Sequence, residues 1–160
     1  MELVLVRHGQ AEPVSESGKD EDRRLTPLGE RQAAWIGAIL KNAGFARAHL
    51  ISSPAIRTRQ TSEKIAEALD SRIEFAPGLM LGRLTSEALG EIEARATRDR
   101  LVVVGHNPPM SDLASMLAGG IGARTACLRT GEAACFHIDD PLELIGPVRP
   151  ARALRLDGCR

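Results

Sequence analysis

The fold is decided by the stretch Leu3-Val4-Leu5-Val6-Arg7-His8-Gly9, near the start of a chain of 160 residues. Four aliphatic residues in succession predict a strand that is buried on both faces, as in a parallel sheet. The strand ends by presenting an arginine, a histidine and a flexible glycine. A second stretch repeats this arrangement, because Leu101-Val102-Val103-Val104 runs into Gly105-His106-Asn107-Pro108. The sequence therefore predicts two buried strands, each of which delivers a histidine at its carboxyl end.

Apolar runs and helical patterns alternate along the rest of the chain, which indicates a mainly parallel sheet with helices between its strands. The predicted strands cover residues 2–6, 48–52, 73–76, 101–105 and 133–138. The predicted helices cover residues 27–43, Ser53 to Leu69, 84–98 and Pro108 to about Leu117. Residues 10–25 form a long polar loop, and residues 142–157 leave a further edge strand open. We expect a single domain over residues 1–160, a three-layer α/β/α sandwich with an antiparallel edge strand.

The composition excludes several classes of function. The chain has 21 basic and 21 acidic residues, so no overall field draws it to nucleic acid or to a membrane surface. Aromatic residues make up only 2%, which disfavours stacking platforms for single-stranded nucleic acid. No apolar run approaches the ~20 residues of a membrane span, and the first residues lack the pattern of a signal peptide. We expect a cytoplasmic protein without nucleic-acid or membrane partners.

The three cysteines, Cys127, Cys135 and Cys159, are odd in number and match no metal-ligand spacing. Free thiols in a reducing compartment are the simplest interpretation. No cluster of metal-binding residues is visible elsewhere in the sequence. We therefore expect no metal and no cofactor, because local arginines can supply the positive charge that an anion site requires.

Ligand sites of open α/β sheets lie beyond the carboxyl ends of the strands, where this sequence places His8, Ser53-Pro54 and His106. Pro54 predicts a helix start, whose free backbone N–H groups favour an anion. Arg57 lies in the first turn of that helix. With Arg7 it would hold a phosphate from two sides, since guanidinium groups match phosphate oxygens better than ammonium groups do. These residues predict a phosphate site with an imidazole nucleophile.

Together the motifs resemble the histidine phosphatase superfamily, whose signature is Arg7-His8-Gly9. The resemblance extends over roughly residues 1–118, and its other motifs are Leu25-Thr26-Pro27-Leu28-Gly29, Ser53-Pro54-Ala55-Ile56-Arg57-Thr58-Arg59-Gln60-Thr61 and Gly105-His106-Asn107-Pro108. Within the superfamily the chain is most similar to the small SixA-type phosphohistidine phosphatases. The resemblance implies that His8 is the nucleophile and that Arg7, Arg57 and His106 complete the phosphate pocket. It also implies a further phosphate-binding arginine, for which Arg23 is the corresponding residue and Arg24 an alternative.

One departure from the superfamily concerns the general acid. Members that act on phosphate esters usually carry a glutamate after the third strand, but residues 77–83 contain no carboxylate and Glu87 falls on the next helix. An alkoxide leaving group needs a proton from a positioned acid, whereas imidazole protonates near neutral pH. The missing acid is therefore consistent with phosphohistidine as the substrate. Glu12, close behind His8, is a possible substitute acid.

Several other polar residues have two interpretations. Gln10 and Asn107 either hydrogen-bond the phosphate or shape their turns. His49 and His137 lie within strand patterns and are predicted to be structural. Arg59 points away from Arg57 on a helix, which favours a solvent-facing or salt-bridging role.

The leading hypothesis is a cofactor-independent phosphatase that removes phosphate from phosphohistidine on a signalling or phosphocarrier protein. An alternative is a phosphomonoesterase for a small phosphorylated metabolite. A third reading, from a different class, is a phosphate-binding sensor module without turnover. In the enzymatic readings, neutral His8 attacks phosphorus while the arginines and protonated His106 stabilise the oxygens. We expect a bell-shaped pH profile that reports the histidine pair.

Overall fold

The computed structural model describes residues 1–119 and 127–138. Its strands are β1 (Glu2–Arg7), β2 (His49–Ser52), β3 (Ile73–Phe75), β4 (Arg100–Gly105) and β5 (Ala133–His137). They form one sheet in the order β3-β2-β4-β1-β5. The pairs β1–β4, β2–β4 and β2–β3 are parallel, whereas β5 runs antiparallel to β1 at the edge. The predicted mainly parallel sheet with an antiparallel edge strand is thus confirmed.

Helices cover both faces of the sheet and make it the middle of three layers. They are α1 (Pro27–Asn42), α2 (Ile56–Leu69), α3 (Thr85–Glu93) and α4 (Pro109–Gly119). Successive side chains of β1 alternate between the two faces. Leu3 and Leu5 therefore join a core formed with α3 and α4, while Val4 and Val6 join the core formed with α1 and α2. Within the described part of the chain, every helix is too short or too polar to cross a bilayer.

Two predicted helix boundaries were wrong. The helix expected to begin at Ser53 begins instead at Ile56, because Ala55 is still extended at its N-cap. The helix expected over residues 84–98 ends at Glu93, beyond which Arg95 and Ala96 donate to the third residue before them in tighter turns. The structure does not describe residues 120–126 and 139–160. The further edge strand considered for residues 142–157, and Cys159, therefore lie outside the described residues.

The backbone after β1 passes unusually close to the start of α1. A Cβ atom on Gly9 would lie 2.4 Å from the carbonyl oxygen of Gly29, and one on Gly29 would lie 2.0 Å from that of Gln10. Gly9 has no positive φ, so the structure requires it for close approach rather than for the flexibility that the sequence suggested. Thr26 caps α1 there by accepting a hydrogen bond from the Gly29 N–H at 3.1 Å.

We expect Gly9→Ala to destabilise the fold by about 2–4 kcal/mol, since the new methyl group meets backbone atoms that cannot move independently. Gly90 provides the matched control, because it lies in α3 with no atom within 4 Å of an added Cβ. Gly90→Ala should stabilise the protein by about 0.5–1 kcal/mol through the higher helix propensity of alanine. Urea unfolding of both variants measures the two effects. If the free energy of unfolding changed equally in both variants, the close approach of Gly9 to Gly29 would not contribute to stability.

Candidate active site

His8 follows the carboxyl end of β1 and is 7% exposed. Its Nδ1 lies 2.7 Å from the carbonyl oxygen of Gly9. A carbonyl only accepts hydrogen bonds, so Nδ1 carries the hydrogen and Nε2 keeps a lone pair. Burial, and after it the charges of Arg57 and Arg7, lowers the pKa of His8 to about 4. His8 is therefore neutral near pH 7, in the tautomer that makes Nε2 a nucleophile.

His106 follows β4, the neighbouring parallel strand, and its ring centroid lies 5.2 Å from that of His8. Ser53, which follows β2, places its Oγ 2.9 Å from His106 Nε2. The other ring nitrogen, Nδ1, is buried without a hydrogen-bond partner. Burial, and after it the proximity of His8 and Arg57, lowers the pKa of His106 to about 3. Three parallel strand ends thus meet at one point, as the sequence predicted.

Arg57 occupies the second position of α2, and only 3% of the residue is exposed. Its Nε donates to His8 Nε2 at 3.2 Å. Its two terminal nitrogens donate to Asp20, one to the backbone carbonyl at 2.6 Å and the other to the carboxylate at 2.9 Å. Every donor-bearing nitrogen of this guanidinium therefore faces either the nucleophile or Asp20.

Arg7, at the end of β1, is half-buried, and burial is the main cause that lowers its pKa. One terminal nitrogen donates to the carbonyl of Leu128 at 2.8 Å, while Nε is buried and has no partner. The positive charge of Arg7 also contributes to the lowered pKa of His8 and of His106. Arg7 Nε and His106 Nδ1 are thus two buried polar atoms of the predicted site residues that have no hydrogen-bond partner, which is uncommon for buried polar groups.

Sequence reasoning missed Asp20. It lies in a short 3-10 turn, Asp20–Asp22, within the long loop before α1. Its carboxylate accepts hydrogen bonds from Arg23, at 2.8 Å, and from Arg57. These hydrogen bonds lower the pKa of Asp20, and the one from Arg23 is the largest cause. The charged run 19–24 offered a weak signal, but no periodic pattern shows that this loop turns back to the pocket. Arg23 pairs with Asp20 and its charge contributes to the lowered pKa of His8, whereas Arg24 is exposed.

The side chains of two other predicted site residues, Asn107 and Gln10, are hydrogen-bonded within the protein. Asn107 donates to the carbonyl of Leu128 at 2.9 Å and accepts from Ser111 at 2.7 Å, so both ends of its amide already have protein partners. The side-chain oxygen of Gln10 accepts from Thr26 at 2.8 Å near the start of α1. A phosphate contact from either residue therefore stays a prediction.

The predicted acid Glu12 is exposed, and its side chain lines an outer cleft of about 510 Å³ formed by the same loop. Residues 77–83, which contain no carboxylate in the sequence, include the short 3-10 turn Pro77–Leu79. Glu87 instead pairs with Arg83 at 3.0 Å on the solvent side of α3. Among the described residues, no group of three histidine, cysteine or carboxylate side chains lies close enough to hold a metal ion.

Two histidines fall outside the site, as predicted. His49 is half-buried beside Glu74, with its Nε2 2.9 Å from the carboxylate. His137 contacts Glu2 across the β1–β5 pair and is exposed.

The two site histidines make the stability of the fold depend on pH. Both have a folded-state pKa below the ordinary 6.5, so the unfolded chain binds more protons between about 6.5 and 4. The free energy of unfolding should fall as pH drops through this window, by up to about 3 kcal/mol from His8, and level off once the folded state is protonated. Urea unfolding at successive pH values measures the slope.

His106→Asn should reduce this slope, because one of the two protonation differences is removed. Arg59→Lys is the control, since it changes no histidine or carboxylate, lies against the Phe75 ring, and should leave the slope as in the wild type. An unchanged slope in the His106 variant would contradict the assignment of the pH dependence to the buried pair.

Comparison with a solved structure identifies the class of fold. The protein histidine phosphatase SixA, solved with tungstate, superposes with a TM-score of 0.76 at 23% identity, over 88% of this chain and 90% of that one. The architecture is that of the phosphoglycerate mutase-like α/β sandwiches.

Sequence comparison defines the family. The family model of the histidine phosphatase superfamily (branch 1) matches residues 3–80. An uncharacterised protein of Picosynechococcus is 32% identical over 126 residues, which cover 75% of this chain and 74% of that protein. The chain belongs to the histidine phosphatase superfamily, which supports phosphatase- or mutase-type chemistry through a histidine. A Salmonella paratyphi A protein, named as a candidate phosphoglycerate mutase GpmB, is 30% identical over 180 aligned positions that cover 99% of this chain and 82% of that protein.

Proposed function

We propose that this protein is a phosphatase that works through a phosphohistidine intermediate on His8 and dephosphorylates phosphohistidine on a protein. The observation that carries the proposal is the pocket around His8 Nε2. This nitrogen has a lone pair, Arg57 donates to it at 3.2 Å, and the centroid of the His106 ring lies 5.2 Å from that of His8. A phosphoryl group bound here would react with His8 Nε2 and accept hydrogen bonds from the guanidinium of Arg57.

The reaction has two steps. In the first, His8 Nε2 forms a bond to phosphorus as the bond to the leaving group breaks on the opposite side. Arg7 and Arg57 stabilise the negative charge on the phosphoryl oxygens, and they do so strongly because the pocket is shielded from water. In the second step, water attacks the phosphorylated His8, and inorganic phosphate leaves with the oxygen of that water. His8 returns to its neutral form.

His106 is neutral in the free protein, because burial lowers its pKa to about 3. A bound phosphoryl dianion would raise this pKa and allow His106 to donate a hydrogen bond or a proton to the phosphoryl oxygens. The acid limb of the pH profile should then reflect His8, whose pKa is lowered to about 4, rather than an ordinary imidazole.

The carboxylates near the pocket support a phosphorus–nitrogen bond as the bond that is cleaved. Asp20 is the carboxylate that contacts Arg57, and its lowered pKa keeps it ionised and unable to protonate a leaving alkoxide. Residues 77–83 supply no other acid. An imidazole leaving group takes a proton near neutral pH without a strong positioned acid, so phosphohistidine suits this site. The likeness to the protein histidine phosphatase SixA supports the same substrate class, and we propose a cytoplasmic signalling or phosphocarrier protein as the partner.

The likeness to the Salmonella mutase-type protein favours a second candidate, a phosphomonoesterase acting on a small metabolite. In that case Glu12 would be the acid, although its side chain lines the outer cleft. The two candidates differ in whether turnover depends on Glu12.

The test compares phosphate release from a phosphohistidine peptide and from p-nitrophenyl phosphate at pH 7, with a chelator present. Faster cleavage of the peptide, with Glu12→Gln as active as the wild type, is the expected result. Faster ester cleavage that Glu12→Gln abolishes would instead establish the phosphomonoesterase. Phosphate binding without turnover of either compound would identify a sensor module.

A further inference from the structure

We propose, on the basis of the phosphate pocket described above, that the Asp20 carboxylate occupies the place of phosphoryl oxygens on Arg57 and Arg23. Substrate then binds by displacing Asp20, and the return of Asp20 helps to expel inorganic phosphate. Asp20 would thus be a residue of the catalytic cycle that acts at the entry of substrate and the release of product.

The contacts of Asp20 match those of a bound anion. One carboxylate oxygen accepts from Arg57 at 2.9 Å and the other accepts from Arg23 at 2.8 Å. Guanidinium groups from two separate elements therefore hold the two oxygens, as they hold the oxygens of a phosphate. The backbone carbonyl of Asp20 takes a second terminal nitrogen of Arg57 at 2.6 Å.

These contacts engage all three nitrogens of Arg57 and three of its five N–H donors. Its Nε already donates to His8 Nε2, and both terminal nitrogens donate to Asp20. A phosphoryl group that accepts from the two N–H groups pointing at Asp20 must displace Asp20 from them. The hydrogen bond from Arg57 Nε to His8 Nε2 must also break, because the Nε2 lone pair is the one that attacks phosphorus. Arrival of substrate and release of Asp20 are therefore one exchange of anions on the same arginine.

The position of Asp20 permits this exchange. Its side chain is 55% exposed, whereas that of Arg57 is 4% exposed, so the carboxylate can return to water while the guanidinium stays in the pocket. A phosphoryl dianion carries twice the charge of the carboxylate and can displace it. A singly charged anion gains less from the same arginines, so Asp20 also favours phosphoryl groups over carboxylates.

Titration of inorganic phosphate into the purified protein at constant ionic strength, followed by calorimetry, tests the proposal without turnover. Asp20→Asn keeps the shape of the side chain but removes its charge, and should lower the Kd for phosphate about 5- to 20-fold. Glu21→Gln removes the same charge from the same turn, at an exposed residue, and should change the Kd less than about twofold. Asp20→Ala should act in the same direction as Asp20→Asn.

An equal or weaker affinity in both Asp20 variants would overturn this proposal and leave the phosphate pocket intact. A Glu21→Gln effect as large as that of Asp20→Asn would also overturn it, because the cause would then be general charge rather than occupation of the arginines. Absence of phosphate binding in all the variants and in the wild type would overturn the pocket itself, and the role of Asp20 with it.

Discussion

His8→Asn is expected to reduce the rate of phosphate release about 10⁴-fold or more and to abolish the phosphorylated form of the protein. Asparagine is chosen because its side-chain NH₂ can still donate to the Gly9 carbonyl, which His8 Nδ1 reaches at 2.7 Å. The substitution therefore removes the Nε2 lone pair and retains a hydrogen bond of the native site. Residual turnover would come from the arginines alone.

The measurement is a rapid-quench assay with radiolabelled substrate, in which label on the wild-type protein should be lost in acid and retained in base, as a phosphorus–nitrogen bond requires. His137→Asn is the matched control, since this exposed histidine lies on β5 away from the pocket. Thermal unfolding of each variant confirms that it is folded. Label that persists on the His8→Asn protein would assign the nucleophile to another residue and end the proposed mechanism.

The convergence of the two histidines was predictable because it follows from local patterns and from one rule of topology. A buried aliphatic run followed by a polar residue marks a strand end, and parallel strands carry such ends to the same edge of the sheet. The pairing of Leu3 with Leu101 and of Arg7 with Gly105 fixes this alignment. The proximity of His8 and His106 could therefore be predicted, because each histidine is marked by a motif only a few residues long.

The contribution of the loop before α1 was not predictable in the same way. The position of Asp20 depends on how Arg23 and Arg57 draw the loop back to the pocket, and these contacts join residues as far as 37 apart in the sequence. Hydrophobic periodicity cannot predict the course of this loop, because the side chains around Asp20 are charged and do not pack in the hydrophobic core. The start of α2 was misplaced for a related reason: Pro54 is compatible with a helix, but Ser53 is held by Val104 and by His106 beyond the strand end.

Arg57→Lys is expected to lower kcat/KM about 10²- to 10³-fold even though the positive charge is kept. The guanidinium reaches His8 through Nε and Asp20 through both terminal nitrogens, a geometry that one ammonium group cannot reproduce. Arg59→Lys is the matched control on the same helix, since Arg59 stacks on the Phe75 ring at 4.8 Å and does not face the pocket. Its kinetics should equal those of the wild type.

Arg57→Met separates the charge of this residue from its geometry. It removes the charge that helps to lower the pKa of His8, but burial is the larger cause, so this pKa should rise only in part toward 6.5. Titration of the His8 ring signal by NMR should show such a rise in Arg57→Met and almost none in Arg57→Lys. Arg57→Lys would then lose activity with an unperturbed nucleophile, which assigns its defect to the placement of the phosphoryl oxygens. Wild-type kcat/KM in Arg57→Lys would mean that positive charge alone suffices at this position.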